Sequence, residues 1–286
     1  MLARVSVPAG FLEWAHQGGA REGPSNTICA MRRAVHDGGA NALEFDVRRS
    51  RDKVLVVVHD GKLGRVSVGK GRISRMTLRQ LQAVDAAFWW VPGELEDHDA
   101  PAYPLRGHHL HDPSLRIPTV EEVLDEFPEL PLTIEVKAMR AAKPLVELLQ
   151  ERGRSNVTLT AFFDHRLWPV RGSRQAVGLS PALGYLLWFR LRLLLRIPPK
   201  ASPYQRIQPP PKKWFVTFLD GKRRFVGAAH GAGLKVDAWT IDDPAEMDRL
   251  LDMGVDGIMT DCPSVLASVV RRRAGGSARA GVGGEG

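Results

Sequence analysis

Cysteine is scarce in this chain of 286 residues: Cys29 and Cys262 stand far apart, in no metal-ligand spacing. At most one disulfide can form, which excludes a disulfide framework, and two unpaired thiols in a reducing compartment are expected. Long apolar runs are lacking too. No stretch reaches the roughly 18 uncharged apolar residues of a spanning helix, and the first ten residues hold no apolar core of signal-peptide length. The expectation is a cytoplasmic protein, with peripheral membrane association left open. A Gly-rich dinucleotide turn is also missing, since Gly18-Gly19 alone is too weak a signal. Basic surplus is modest. The net charge is +8, and residues 271–286, with four arginines and one glutamate, hold +3 of it. A mildly basic body suits phosphates or lipid headgroups, and no nucleic-acid partner is expected.

What is present is alternation. Strand-like segments at 11–16, 41–47, 54–59, 132–136, 157–163, 235–241 and 257–260 interleave with helix-like segments at 26–36, 77–90, 119–127, 143–152, 222–232 and 244–253. That order argues for an α/β fold with a parallel sheet, and the length favours a closed (β/α)₈ TIM barrel. The polar stretch at about 91–118 breaks the rhythm and reads as an insertion over the site mouth. His108, His109, His111 and Asp112 within it are a weaker candidate for a second metal cluster. Residues 182–197 are apolar nearly all round, relieved by Arg190, Arg192 and Arg196. They suit a packed barrel helix or a peripheral membrane contact. Prolines at 198, 199, 203 and 209–211 then give little strand signal. Residues 1–270 are expected to form the barrel domain, and 271–286 a disordered Gly/Arg tail.

Chemistry concentrates at residues 43–60. Glu44 and Asp46 stand at i and i+2, so in a strand they share a face, where two carboxylates repel unless a cation or proton lies between them. The polar connection at 48–53 is too short for a crossover helix. The two strands therefore form either a hairpin or a barrel step without its helix. A hairpin would bring Glu44, Asp46 and His59 together.

Further short motifs follow in order: Ala15-His16-Gln17-Gly18-Gly19, Pro24-Ser25-Asn26-Thr27, Leu43-Glu44-Phe45-Asp46-Val47, Val58-His59-Asp60, Ile117-Pro118-Thr119, Thr133-Ile134-Glu135-Val136-Lys137, Ala238-Trp239-Thr240-Ile241 and Gly254-Val255-Asp256-Gly257-Ile258-Met259-Thr260-Asp261. From about residue 12 to 265 this ordered set resembles the glycerophosphodiester phosphodiesterase family. The resemblance implies a (β/α)₈ barrel with an insertion after the third strand. It implies metal ligands at Glu44, Asp46 and Glu135 and catalytic histidines at His16 and His59. Three carboxylates suit one hard divalent cation, Mg²⁺ or Ca²⁺. Lys137, two residues beyond Glu135, would set an ammonium near the phosphate, and Trp239 an apolar wall at the mouth.

Two positions depart from the family pattern: Gln17 stands where Arg is usual, and Ser25 where Glu is usual. Gln17 keeps a polar contact for substrate but lacks the permanent charge. The implied activity is metal-dependent hydrolysis of glycerophosphodiesters to an alcohol and glycerol phosphate by two-histidine acid/base catalysis. The alternatives are a lysophospholipase D acting on lysophospholipids at a membrane surface and a catalytically silent phosphate-binding barrel.

Overall fold

The computed structural model describes residues 7–170, 178–179, 192, 204–209 and 224–280. Among the described residues the nine strands are β1 (Leu12–Ala15), β2 (Ala42–Arg49), β3 (Leu55–Val57), β4 (Leu132–Val136), β5 (Val157–Thr160), β6 (Gly178–Leu179), β7 (Arg206–Ile207), β8 (Lys235–Ala238) and β9 (Gly257–Thr260). Eight of them run parallel in the order β6-β5-β4-β2-β1-β9-β8-β7, a nearly closed (β/α)₈ barrel. The helices are α1 (Ile28–His36), α2 (Leu78–Gln82), α3 (Val120–Glu126), α4 (Met139–Glu151), α5 (Arg224–Gly231), α6 (Pro244–Met253) and α7 (Pro263–Ala280).

Strand periodicity builds the core. Leu43, Phe45 and Val47 of β2 join Ile134, Leu145 and Leu159 in the main apolar cluster around α1, α3 and α4. A second cluster packs Val236 and Ile258 against Leu250 and Leu266. Inside the barrel, Trp14, Ala42 and Met259 form a small layer. Here β9 must come close: a Cβ at Gly257 would meet Asp237 Oδ1 at 2.5 Å and Trp14 Nε1 at 2.7 Å, so only glycine fits.

Strand β3 answers the open question about the pair. It runs antiparallel to β2, with Val47 opposite Val57, so it is a hairpin and stands off the barrel path. It is the third strand in the chain, and the insertion follows it. The insertion begins earlier than residue 91, because α2 ends at Gln82 instead of continuing to 90. Asp85 turns the chain there: its carboxylate accepts from Ala87 N (3.0 Å) and from Gly107 N (2.7 Å). Helix α3 falls within the helix-like segment at 119–127, and a Thr119–Glu122 capping box starts it.

Three boundaries differ from expectation. Helix α4 starts four residues early and runs through Pro144; the Arg140 carbonyl that Pro144 cannot serve accepts from Arg49 Nη1 at 3.5 Å. The proline-rich stretch does contain a strand, β7, paired with Lys235 and Val236. The tail expected from 271 is helical to Ala280, because Arg272 and Arg273 bind Asp248, and Arg273 also binds Asp252, on α6. Apart from Arg192, residues 182–197 lie outside the described residues, so the contact expected there lies outside them too. Among the described residues no helix is long and apolar enough to cross a membrane.

Candidate active site

Because the eight strands are parallel, residues at their C-terminal ends share one face of the barrel. In β2 the odd-numbered apolar residues pack outward, leaving Glu44 and Asp46, both buried, on the inner face. Register adds the third acid: Asp46 lies beside Glu135 in the β2–β4 ladder. Carboxylate oxygens of Glu44, Asp46 and Glu135 all lie within 4.8 Å of one another.

Their electrostatics are unequal. Burial and the Asp46 carboxylate push the Glu44 carboxyl well above the usual range. For Asp46, burial is outweighed by Lys137, His59 and the Asn26 hydrogen bond, which hold its carboxyl below the usual value. Asn26 clamps Asp46 from both sides, donating from Nδ2 to Oδ2 (2.9 Å) and accepting from the backbone N–H (3.0 Å). Lys137 Nζ lies 3.1 Å from Asp46 Oδ1 and 2.8 Å from Glu135 Oε2. Burial opposes its charge, yet the two carboxylates hold its pKa above the ordinary lysine value.

Glu135 Oε1 is buried with no hydrogen-bond partner among the described residues, which leaves the cluster an unserved acceptor. This all-carboxylate donor set fits a hard divalent cation such as Mg²⁺ or Ca²⁺. Among the described residues no second such group occurs. His109, a candidate for one, instead sets Nδ1 3.4 Å from Asp85 Oδ2.

Each histidine is paired with an aspartate. His16, directly after β1, donates from Nδ1 to Asp261 Oδ1 at 2.7 Å and holds Nε2 3.8 Å from Glu44 Oε2. Burial opposes a charged ring, but Glu44, Asp261 and Asp46 prevail and push its pKa up to about 9. His59 donates from Nδ1 to Asp60 Oδ1 at 2.6 Å. The hairpin ties it to the cluster: Val58 N donates to Asp46 O (2.9 Å), and Arg48 Nε donates to His59 O (2.8 Å).

Gln17 is buried, with a left-handed backbone (φ 50), and its backbone N–H donates to Glu44 Oε2 at 2.9 Å. Trp239 donates from Nε1 to Gln208 O at 2.7 Å, and its ring packs on the Trp14 layer. Sequence reasoning missed Asp60, Asp261 and Asn26 as partners. Asp60 follows His59 directly, and Asp261 ends an apolar strand run, so both left a local trace.

A sequence model of the glycerophosphoryl diester phosphodiesterase family matches residues 16–181 and 184–265. The glycerophosphodiester phosphodiesterase of Caldanaerobacter subterraneus is 27% identical over 268 residues, covering 90% of this chain and 97% of its own. Lysophospholipase D GDPD1 of Mus musculus is 26% identical over 275 residues, covering 88% and 83%. Among solved structures, the glycerophosphodiester phosphodiesterase of Agrobacterium tumefaciens superposes with a TM-score of 0.69 at 22% identity, over 90% of this chain and 97% of its own. An Oleispira antarctica phosphodiesterase in complex with the product sn-glycerol-3-phosphate gives 0.67 at 21%, over 90% and 96%. At those identities the structures speak for the fold, while the sequence match runs across nearly the whole barrel: the chain belongs to the glycerophosphoryl diester phosphodiesterase family, a family of phosphoric diester hydrolases.

Proposed function

We propose that this protein hydrolyses glycerophosphodiesters to an alcohol and glycerol phosphate, with His16 and His59 as the proton-transfer pair beside a divalent-cation site at Glu44, Asp46 and Glu135. The observation that carries this reading is the pairing of two His–Asp dyads with one three-carboxylate cluster at the strand ends. When bound, Mg²⁺ or Ca²⁺ supplies Lewis-acid neutralisation of a non-bridging phosphate oxygen.

The remaining work falls to side chains. Asp261 and Asp60 each accept from a histidine Nδ1, which fixes the tautomer and leaves Nε2 of each ring for proton transfer. One ring takes the proton of the nucleophile, water or a substrate hydroxyl, and the other protonates the leaving alkoxide. Lys137 and Asn26 hold the carboxylates in place. On this reading Gln17 is a substrate contact and Trp239 the apolar wall.

A lysophospholipid substrate is the second reading. The mouse relative is named for that activity, and Phe163, three residues beyond the C-terminal end of β5, exposes a large apolar ring. On this reading the cytoplasmic protein touches membranes peripherally, with 182–197 as a contact.

Purified protein should release choline from glycerophosphocholine or lysophosphatidylcholine with Mg²⁺ or Ca²⁺. Chelator should stop turnover, metal should restore it, and Glu44→Ala should lower it by about 10⁴-fold or more. No turnover of any glycerophosphodiester or lysophospholipid under either metal would sink the reading and leave a silent phosphate-binding barrel.

A further inference from the structure

The insertion reaches both dyads through a single short turn. On the His59 side, Arg65 Nη1 donates to both carboxylate oxygens of Glu96, at 3.0 and 2.9 Å. Its Nε lies 3.2 Å from Asp60 Oδ2, the oxygen not used by His59. Glu96 is itself anchored: its side chain is only 10% exposed, and Ser25 Oγ donates to its Oε1 at 2.9 Å. On the His16 side, Arg21 exchanges hydrogen bonds with Gly93, donating from Nη1 to Gly93 O (2.6 Å) and accepting at its own carbonyl from Gly93 N (2.8 Å). Arg21 Nε lies 3.4 Å from Asp242 Oδ2, and Asp242 Oδ1 accepts from Asp261 N at 2.8 Å. Arg21 N also donates to Asp261 O (3.1 Å).

We infer that residues 93–96 of the insertion brace the two His–Asp dyads, with Arg65 and Glu96 as positioning residues for His59 and Arg21 as the positioning residue for His16. This rests on the proposed catalytic reading for its functional consequence, though not for its geometry.

The physical need is greatest at His59. His59 and Asp60 are 37% and 38% exposed in their side chains, and an exposed ion pair holds its geometry poorly. Arg65, held through Nη1 on both oxygens of a largely buried glutamate, sets its guanidinium in ion-pair distance of Asp60. It restrains the free oxygen of Asp60 and so the direction in which Asp60 presents the other oxygen to the imidazole. Displacing a catalytic group by about 1 Å costs on the order of 100-fold in rate.

The reading also gives the insertion and Ser25 a task. A serine at position 25 leaves room for a carboxylate to arrive from outside the barrel, and Glu96 fills that room. The site is then incomplete without residues the barrel itself does not supply.

The test uses the full chain and reads three quantities: kcat and KM on glycerophosphocholine with metal, the His16 and His59 imidazole ¹⁵N signals of the metal-free protein, and Tm. Glu96→Gln and Arg65→Ala should lower kcat about tenfold or more with KM within about twofold, and should shift the His59 signal while His16 stays. Arg65→Lys should recover part of kcat. Arg21→Ala should shift the His16 signal and leave that of His59. Asp99→Asn, an exposed site on the same insertion, should change none of them.

If Arg65→Ala fails to fold, Glu96→Gln decides. An unmoved His59 signal in Glu96→Gln overturns the brace, and so does a rise in KM at unchanged kcat, which would make Arg65 a substrate contact. An inactive wild type would count against the catalytic reading alone, because the imidazole signals are read without turnover.

Discussion

The two dyads reach one chemical arrangement by opposite routes. His16 and Asp261 stand 245 residues apart in the chain and meet because β1 and β9 are neighbours in the barrel. Their side chains are 19% and 7% exposed. His59 and Asp60 are consecutive, lie at the end of a hairpin outside the barrel path, and are about twice as exposed or more. Strand order brings the first pair together, while the second carries an ion pair to Arg65, which in turn binds Glu96 of the insertion. If the brace inferred above holds, the enclosed pair next to the barrel strands should depend on it less than the exposed pair at the hairpin end.

The largest effect that sharpens this comparison is loss of either ring. His16→Ala and His59→Ala should each lower kcat by about 10²–10⁴-fold. The double variant should be little worse than the poorer single, because the two act as a unit. Additive losses in steady-state kinetics would mean that the dyads do not share one turnover.

Next comes the pairing itself. Asp261→Asn should cost about 10³-fold and Asp60→Asn about 10²-fold, since the enclosed Asp261 has no solvent to replace it while the exposed Asp60 has. Equal losses, measured as kcat under saturating metal, would remove the contrast between an enclosed and an open dyad.

The smallest expected effect concerns stability. In the metal-free protein His16 is raised to about 9, and Glu44 is raised as well. Both therefore bind more protons folded than unfolded, so stability is fullest below their unfolded values and falls as pH rises through the folded ones. In chelator, Tm should drop between about pH 5 and 9, by roughly 2–4 °C for each kcal/mol lost. Asp46, held low, acts in the opposite sense only in more acidic solution. Added Mg²⁺ or Ca²⁺ should raise Tm more at pH 8 than at pH 5. A Tm that rises with pH in chelator would contradict the proton count, and His16→Ala should flatten the slope.

Much of the barrel was legible because its signals are local. Alternation in β2 separated Leu43, Phe45 and Val47 from Glu44 and Asp46, and the register placed those two faces on core and lumen. The helix-like segments at 119–127 and 244–253 correspond to α3 and α6 within one residue at each end. Where the reading failed, the deciding contact was remote. The stop of α2 depends on Gly107 reaching back to Asp85. Strand β7 sits among prolines because Lys235 and Val236 offer it an edge. The helical course of α7 past residue 271 depends on Asp248 and Asp252.

The sequence by itself determined the barrel class and the two carboxylates on one strand face, because periodicity is a property of neighbouring residues. Only the tertiary structure decided that Asp261 serves His16, that Glu135 Oε1 is left without a donor, and that Glu96 reaches Arg65 beside His59. The two contacts join segments 245 and 31 residues apart. Chain spacing carries no record of them, because the sheet order and the path of the insertion, rather than any local preference, bring the partners within reach.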